Sequence, residues 1–351
     1  MTLIATLHPY YYPIVLSDLL VTSGQHEISV TTDQKGVAIE IGKEFFCRKV
    51  ITFDEGPSAY GFAGEAEAIL DFVDGLRFRF PHRDLDVPPA RFVGELVREF
   101  NANFGRNAIS CVGFTAGNFE VGRGISVLRG IDRRTQQTRS FNEIYATGSG
   151  TDQFFKLVSD YDSQLAEDAH PIELRIIQLI GAINATLLYS KGDEFAAHGW
   201  GGYVESIVIQ DYKALYREPQ WHYIAYEIDE SDNIEQLATQ YHYCATPQCQ
   251  GLLKIEEKED VISYSLFPIL SLLDEQPMRT IKLVEPPDWK IIPITVALFF
   301  KNKNRMAFYT MMPNELDAIV RFDAWCLGLS DDYCREIARD LSAKVRSKLG
   351  L

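Results

Sequence analysis

"MTLIATLHPYYYPIVLSDLL", residues 1–20, reads as two β-strands joined by a tight turn. Residues 2–7 (TLIATL) and 12–20 (YPIVLSDLL) are dominated by apolar and β-branched side chains, and the proline-containing HPYY between them is a turn signal. The returning strand holds one acid, Asp18, in an otherwise apolar run. A terminus is normally frayed unless it is tied down. A strand pattern that begins at residue 2 therefore predicts either an edge strand or an amino end with chemistry to do.

Further strand pattern follows in 27–32, 36–41, 46–53 and 58–63. Within 46–53 (FCRKVITF), alternation predicts Lys49 and Ile51 on one face and Arg48 and Val50 on the other. The period then changes, and 65–79 and 89–104, the second behind Pro88-Pro89, carry apolar positions at helical spacing. Strands return in 108–116, 124–131 and 141–147, helices in 151–166 and 171–190, and a strand in 203–210. Paired helices around antiparallel strands predict layers, with helices outside two packed sheets. This is not the βαβ alternation of a Rossmann fold.

From about residue 216 the texture changes. Residues 221–228, 239–246, 251–270, 279–284 and 291–311 predict a second, β-rich unit, closed by a helix over 331–349. Ser330 supplies an N-cap for that helix and Gly350 a stop. The predicted organisation is thus a domain at 1–215 and a β-rich domain with a terminal helix at 216–351.

The 351 residues are 46% hydrophobic and carry a formal net charge of −15, which argues against a nucleic-acid groove or an anionic membrane surface as partner. No apolar run reaches the ~20 residues of a membrane span, and no basic-then-apolar leader opens the chain. A cytoplasmic location is expected. Of six cysteines, only Cys244 and Cys249 lie close together, beside His242, without the second pair that a zinc site usually offers. Buried free thiols, and no metal or other cofactor, are the expectation.

Thr2 directly follows the initiator methionine. Removal of Met1 would leave a residue carrying both a hydroxyl and a free α-amine. With a pKa near 8, that amine is partly neutral at physiological pH and can accept the hydroxyl's proton. A lysine nearby would keep it unprotonated, and an acid would orient the lysine.

Several segments in this order resemble the proteasome β-subunit family of N-terminal nucleophile (Ntn) hydrolases and its bacterial proteasome-related peptidase. Thr2 with LIATL resembles the family's threonine strand, Asp18 in IVLSDLL its structural acid, and RKVITF the segment of its lysine, here Lys49. AYGFAGEAEA resembles the strand-to-helix turn that places an oxyanion-hole N–H, here that of Gly64. IYATGSGTDQFF resembles the turn bearing the supporting serine, here Ser149. Singly, each residue has a plain structural reading as strand former, capped acid, edge base or turn.

The resemblance covers about residues 2–210 and implies an α+β fold, a four-layer αββα Ntn-hydrolase sandwich, with the β-rich region and its helix added. It implies catalytic roles for Thr2, Asp18, Lys49, Gly64 and Ser149, and a specificity pocket of Val21, Cys47, Ile51, Phe62 and Ala66, all uncharged. Where the family has an Asp and a Ser before a Gly-Gly pair, this chain has Ala197 and Trp200 before Gly201-Gly202, with Asp193 further upstream. Leu19 and Leu20 replace the basic residue that commonly follows the acid, and Lys35 is a rival to Lys49. The implied activity is that of a threonine-type amide hydrolase, a peptidase acting on peptide or protein, in a homo-oligomer, with an unfoldase or regulatory partner as a further candidate. The alternatives are a catalytically inactive scaffold or binding protein, and an Ntn amidase for small molecules.

Overall fold

The computed structural model describes residues 2–7, 12–22, 29–32, 37–40, 44–53, 57–84, 86–119, 122–129, 134–165, 171–189, 200–210, 214–218, 220–229, 233–245, 250–258, 261–270, 292–300, 305–311, 319–321, 327–329 and 336. The predicted strand at 279–284 and all but Glu336 of the predicted helix at 331–349 lie outside them, as do Lys35, Asp193, Ala197, Cys249, Cys326 and Cys334. The chain divides into two compact units. One comprises residues 1–176, 191–218 and 269–278, the other 177–190, 219–268 and 279–351.

The strands of the first unit, in chain order, are β1 (Ile4–Leu7), β2 (Ile14–Asp18), β3 (Leu20–Thr22), β4 (Ser29–Thr32), β5 (Val37–Glu40), β6 (Glu44–Cys47), β7 (Val50–Phe53) and β8 (Ser58–Gly64). After helices α1 (Ala66–Arg79) and α2 (Pro89–Phe104) come β9 (Ile109–Phe119), β10 (Gly122–Leu128), β11 (Arg134–Thr138) and β12 (Asn142–Thr147). Helix α3 (Thr151–Leu165) precedes α4 (Ile172–Tyr189), and β13 (Val204–Gln210) and β14 (Ala214–Arg217) end the unit.

Two sheets dominate this unit, a six-stranded one in the order β11-β12-β1-β2-β13-β14 and a four-stranded one in the order β10-β9-β8-β7. Every pairing within them is antiparallel. β1 is therefore an interior strand. Leu3 to Leu7 are buried without a break, because both faces of β1 are covered, and strands covered on both faces read as apolar runs rather than alternations.

One face supplies Ile4, Val15, Ile207 and Ile209 to a core shared with Val50, Ala59, Ala63, Val112 and Phe114 of the smaller sheet. The other face of the smaller sheet buries Ile51, Tyr60 and Phe62 against Phe72, Leu76, Val93 and Val97 of α1 and α2. Pro89 opens α2, and Gly105, at φ 71°, closes it in the left-handed conformation that a Cβ would disfavour. Helix α3 is tied to the six-stranded sheet by the Arg134–Asp152 ion pair and by Asp162, which accepts from the Arg139 and Ser140 N–H groups at 2.9 and 2.8 Å.

The second unit is built on β15 (Gln220–Ile228), β16 (Ile234–Gln236), β17 (Thr239–Ala245), β18 (Gln250–Lys258), β19 (Val261–Leu270), β20 (Ile294–Phe300) and β21 (Arg305–Met311). Their order is β21-β20-β15-β17-β18-β19, with β16 pairing β15, and the β15–β20 pairing is parallel. β22 (Ile319–Arg321) and β23 (Leu327–Leu329) form a separate pair. From residue 177 onward α4 belongs to this unit. Its Gly181 lies so close to Thr295, Thr310 and Trp221 that a Cβ would overlap the two hydroxyls, and its Tyr189 hydroxyl donates to the carbonyl oxygens of Tyr223 and Thr239. α4 is long and apolar enough to cross a membrane by length and composition alone, but 56% of it is buried inside the protein.

The four-layer αββα sandwich expected from the sequence is corrected by this arrangement. The described residues form 23 strands and four helices, a mostly β fold. Most of α4 groups with the sheet of the second unit rather than with α3. Long runs of period-two sequence after residue 219 supply the excess of strands.

Candidate active site

Thr2 and Leu3 lead into β1, and Asp18 ends β2 directly alongside. Four donors converge on the Asp18 carboxylate. Oδ1 accepts from the Thr2 hydroxyl at 2.8 Å, the Leu3 N–H at 2.8 Å and Lys49 Nζ at 2.7 Å, and Oδ2 accepts from the Gly201 N–H at 3.1 Å. Asp18 is 0% exposed, Thr2 5% and Lys49 8%. A carboxylate taken out of water must be matched by charge and hydrogen bonds, and this one has both.

Lys49 reaches Asp18 because the expected strand over 46–53 is broken. β6 ends at Cys47 and pairs with β3, while β7 starts at Val50 and pairs with β8. The chain changes sheets across Arg48 and Lys49; Ile51 is packed in the core under α1 and α2, and Lys49 Nζ reaches Asp18 at the end of β2. Lys49 Nζ also donates to the Leu20 carbonyl at 2.6 Å. Burial pulls its pKa below the ordinary lysine value, with the Asp18 charge and hydrogen bond opposing that shift.

Arg48, the other residue of the break, forms a buried ion pair with Glu205 of β13 at 3.0 Å. Glu205 stands opposite Ser17 in the register, one place from Asp18. Two neighbouring acids thus meet two neighbouring bases. Sequence reading passed over Glu205, although a lone acid in the apolar run YVESIVIQ was a signal of the same kind as Asp18.

The Gly148-Ser149-Gly150 turn follows β12. Ser149 is exposed, and its Oγ accepts from the Thr2 backbone nitrogen at 3.2 Å, while the Gly150 N–H approaches the Thr2 carbonyl at 3.4 Å. Gly148 has φ +98°, and a Cβ there would overlap the Thr2 carbonyl oxygen. The turn also lies flush on the fully buried Trp200, where a Cβ on Gly150 would come within 2.7 Å of the indole Cδ2.

Gly64 ends β8 at φ +145°, with the Ala108 carbonyl occupying the place of a Cβ. Ile109, its partner on β9, spends both backbone groups on the Asn101 side chain, at 3.0 and 2.8 Å. The Gly64 N–H therefore points the other way, toward the side where the Phe62 N–H meets the Lys49 carbonyl at 3.0 Å. The β7–β8 register has already ended there, at Val50 opposite Gly61. Thr2, Asp18, Lys49 and Ser149 are brought together directly, and Gly64 presents its N–H toward the Lys49 side.

Two of the expected pocket residues, Ile51 and Phe62, share one buried cluster. It lies in the core beneath α1 and α2, while Cys47 is buried with its thiol on the Arg48 carbonyl, and Ala66 is exposed in the first turn of α1. Val21 lies in β3, with its side chain outside the described residues. Cys244 and His242 are buried on β17, and no group of three or more His, Cys, Asp or Glu among the described residues could hold a metal ion.

No family model matches the chain, and no curated protein matches it. Among solved structures it is similar to Anbu (ancestral beta-subunit) from Yersinia bercovieri, at 15% identity and TM-score 0.40 over 61% of this chain and 86% of that one. The Anbu (Gly-1) mutant from Hyphomicrobium sp. strain MC1 is similar at 13% identity and TM-score 0.38, over 62% and 87%. Anbu from Pseudomonas aeruginosa, solved as a helical assembly of the Anbu complex, is similar at 15% identity and TM-score 0.36, over 61% and 86%. The assignment to proteasome β-subunits and the bacterial proteasome-related peptidase is corrected by these comparisons: neither family models nor curated proteins support it, and these three solved structures are Anbu proteins, at low identity.

Proposed function

We propose that this protein is an amide hydrolase of the N-terminal threonine type, acting on peptides. The observation that carries the reading is the sharing of one Asp18 oxygen by the Thr2 hydroxyl and the Lys49 ammonium, with the Thr2 nitrogen on Ser149. In the chain that retains Met1, this nitrogen is a peptide N–H. After methionine removal it becomes the α-amine, the base that the hydroxyl needs.

The Thr2 hydroxyl gives its proton to that amine and attacks the amide carbonyl carbon. Lys49 places a positive charge nearby and disfavours the protonated amine. The carbonyl oxygen gains the electron pair and is met by the Gly64 N–H, a kind of contact whose loss costs roughly 3–4 kcal/mol. The tetrahedral centre collapses, the leaving amine takes the proton from the α-ammonium, and an ester on Thr2 remains. Water, deprotonated by the same amine, hydrolyses the ester. A homo-oligomer belongs to the same reading.

The test is intact-mass analysis of the purified protein with and without an electrophile selective for N-terminal threonine. The expected result is a chain lacking Met1 that gains one adduct, mapped to Thr2. A stable Met1 in a hydrolytically active preparation overturns the mechanism.

A further inference from the structure

Trp200 stands in the segment just before Gly201-Gly202, where an apolar indole is an unusual neighbour for a polar site. It is 0% exposed. Its ring carries the Gly148-Ser149-Gly150 turn, so closely that Gly150 has no room for a methyl group. The same turn abuts Thr2, where Gly148 admits no Cβ against the Thr2 carbonyl. The turn thus packs on both Thr2 and the indole, with Ser149 Oγ at 3.2 Å from the Thr2 nitrogen.

The next residue extends the same support to the acid. The Gly201 N–H holds Asp18 Oδ2 at 3.1 Å, and the Gly201 carbonyl accepts from the Leu20 N–H at 3.3 Å. Leu20 in turn gives its own carbonyl to Lys49 Nζ. Residues 200 and 201 therefore brace both sides of Thr2, the serine turn through packing and the acid–lysine pair through backbone hydrogen bonds.

We propose that Trp200 is a positioning residue for the reaction, holding the Ser149 turn against the Thr2 amine. The proposal deepens the hydrolase reading and rests on it for its purpose. Its physical consequence can be measured without turnover. Ser149 Oγ accepts from the Thr2 nitrogen and so favours the charged ammonium, and a turn that moves away lowers the amine's pKa.

The experiment uses the full chain released from an N-terminal ubiquitin fusion, so that Thr2 is the first residue whatever the fate of Met1. The amine's titration is read from the pH dependence of its reaction with acetic anhydride, by mass spectrometry of the N-terminal peptide. The rate of acylation by the threonine-selective electrophile is measured alongside. W200A is expected to move the amine midpoint down by about one pH unit and, because the amine is no longer held in place, to slow acylation on the order of tenfold at pH 7. W200F keeps an apolar plane and should recover most of both. G150A, which pushes the turn off the indole from the other side, should shift the midpoint in the same direction as W200A and serves if W200A fails to fold.

Folded W200A or G150A protein with the wild-type midpoint overturns the proposal. A shifted midpoint in a chain whose wild type is never acylated on Thr2 upholds the positioning role and sinks the hydrolase reading instead. The two ideas can therefore fail separately.

Discussion

Lys49 and the Thr2 hydroxyl share a single oxygen, Oδ1 of Asp18, at 2.7 and 2.8 Å. One acid therefore sets the position of both the nucleophile and the charge that tunes its base. Neither partner can be moved without disturbing the other.

The first consequence concerns Lys49. K49A should lower acylation of Thr2 by roughly 10–10³-fold, because without the nearby positive charge the amine's pKa rises by about one to three. The Asp18 charge stays buried with three donors, so the fold should weaken by a few kcal/mol without collapsing. K35A should leave acylation unchanged. Acylation rates and urea melts on the two variants decide it: a fully reactive K49A protein would remove Lys49 from the site.

Arg48 and Glu205 are expected to behave as a structural pair. Removing one partner leaves the other charge buried, so R48M alone should cost about 3–5 kcal/mol. The double variant R48M/E205L should regain most of that loss, because the apolar pair leaves no orphan charge. A double-mutant cycle in denaturant gives the coupling, and a coupling near zero would show that the ion pair in β13 is not formed in solution.

At Gly64 a side chain is excluded twice, by a φ of +145° and by the Ala108 carbonyl. G64A should displace the N–H that points to the Lys49 side. Acylation should fall by ~10²–10³-fold, more steeply than the melting temperature predicts. Equal loss of rate and of folded fraction would assign Gly64 a purely structural part.

In the second unit the buried His222 and His242 stand opposite one another on β15 and β17. Burial lowers His222 from 6.5 to about 4, with its hydrogen bond to Gln240 opposing, and burial also lowers His242. Between pH 6.5 and about 4 the unfolded chain binds the proton and the folded one does not. Stability is therefore full above pH 6.5 and falls with pH across this window, by about 3 kcal/mol for His222 alone. Urea melts at pH 7.5 and 4.5 should show this loss, and H222Q should make the dependence shallower by a similar amount. An H222Q dependence as steep as the wild type's would contradict the neutral buried histidine.

The strands at the amino end were legible because β1 and β2 are covered on both faces, and such strands announce themselves as apolar runs interrupted only where chemistry or pairing demands it. Asp18 and Lys49 stood out for that reason. The break at Arg48-Lys49 was not legible: β6 and β7 both keep period two, and alternation says nothing about which sheet a strand joins. α4 misled for a related cause. It is apolar on most of its circumference, with Leu179, Ile180, Ile183, Ala185 and Leu187 all buried, so no polar stripe showed which sheet it would cover. Trp200 was visible only as a departure from a pattern, since packing against a glycine leaves no trace in spacing.

The interior place of β1 has a consequence for how the protein is made. Its two neighbours are β2, a few residues away, and β12, which ends at Thr147. During synthesis the hairpin of β1 and β2 emerges first, and one long edge of β1 then waits for well over a hundred further residues before it can be closed. Pairings of such wide separation are slow to form. Until β12 and the turn behind it dock, the Thr2 nitrogen lacks the Ser149 partner that it has in the folded protein, so the geometry around the amino end is among the last to be set.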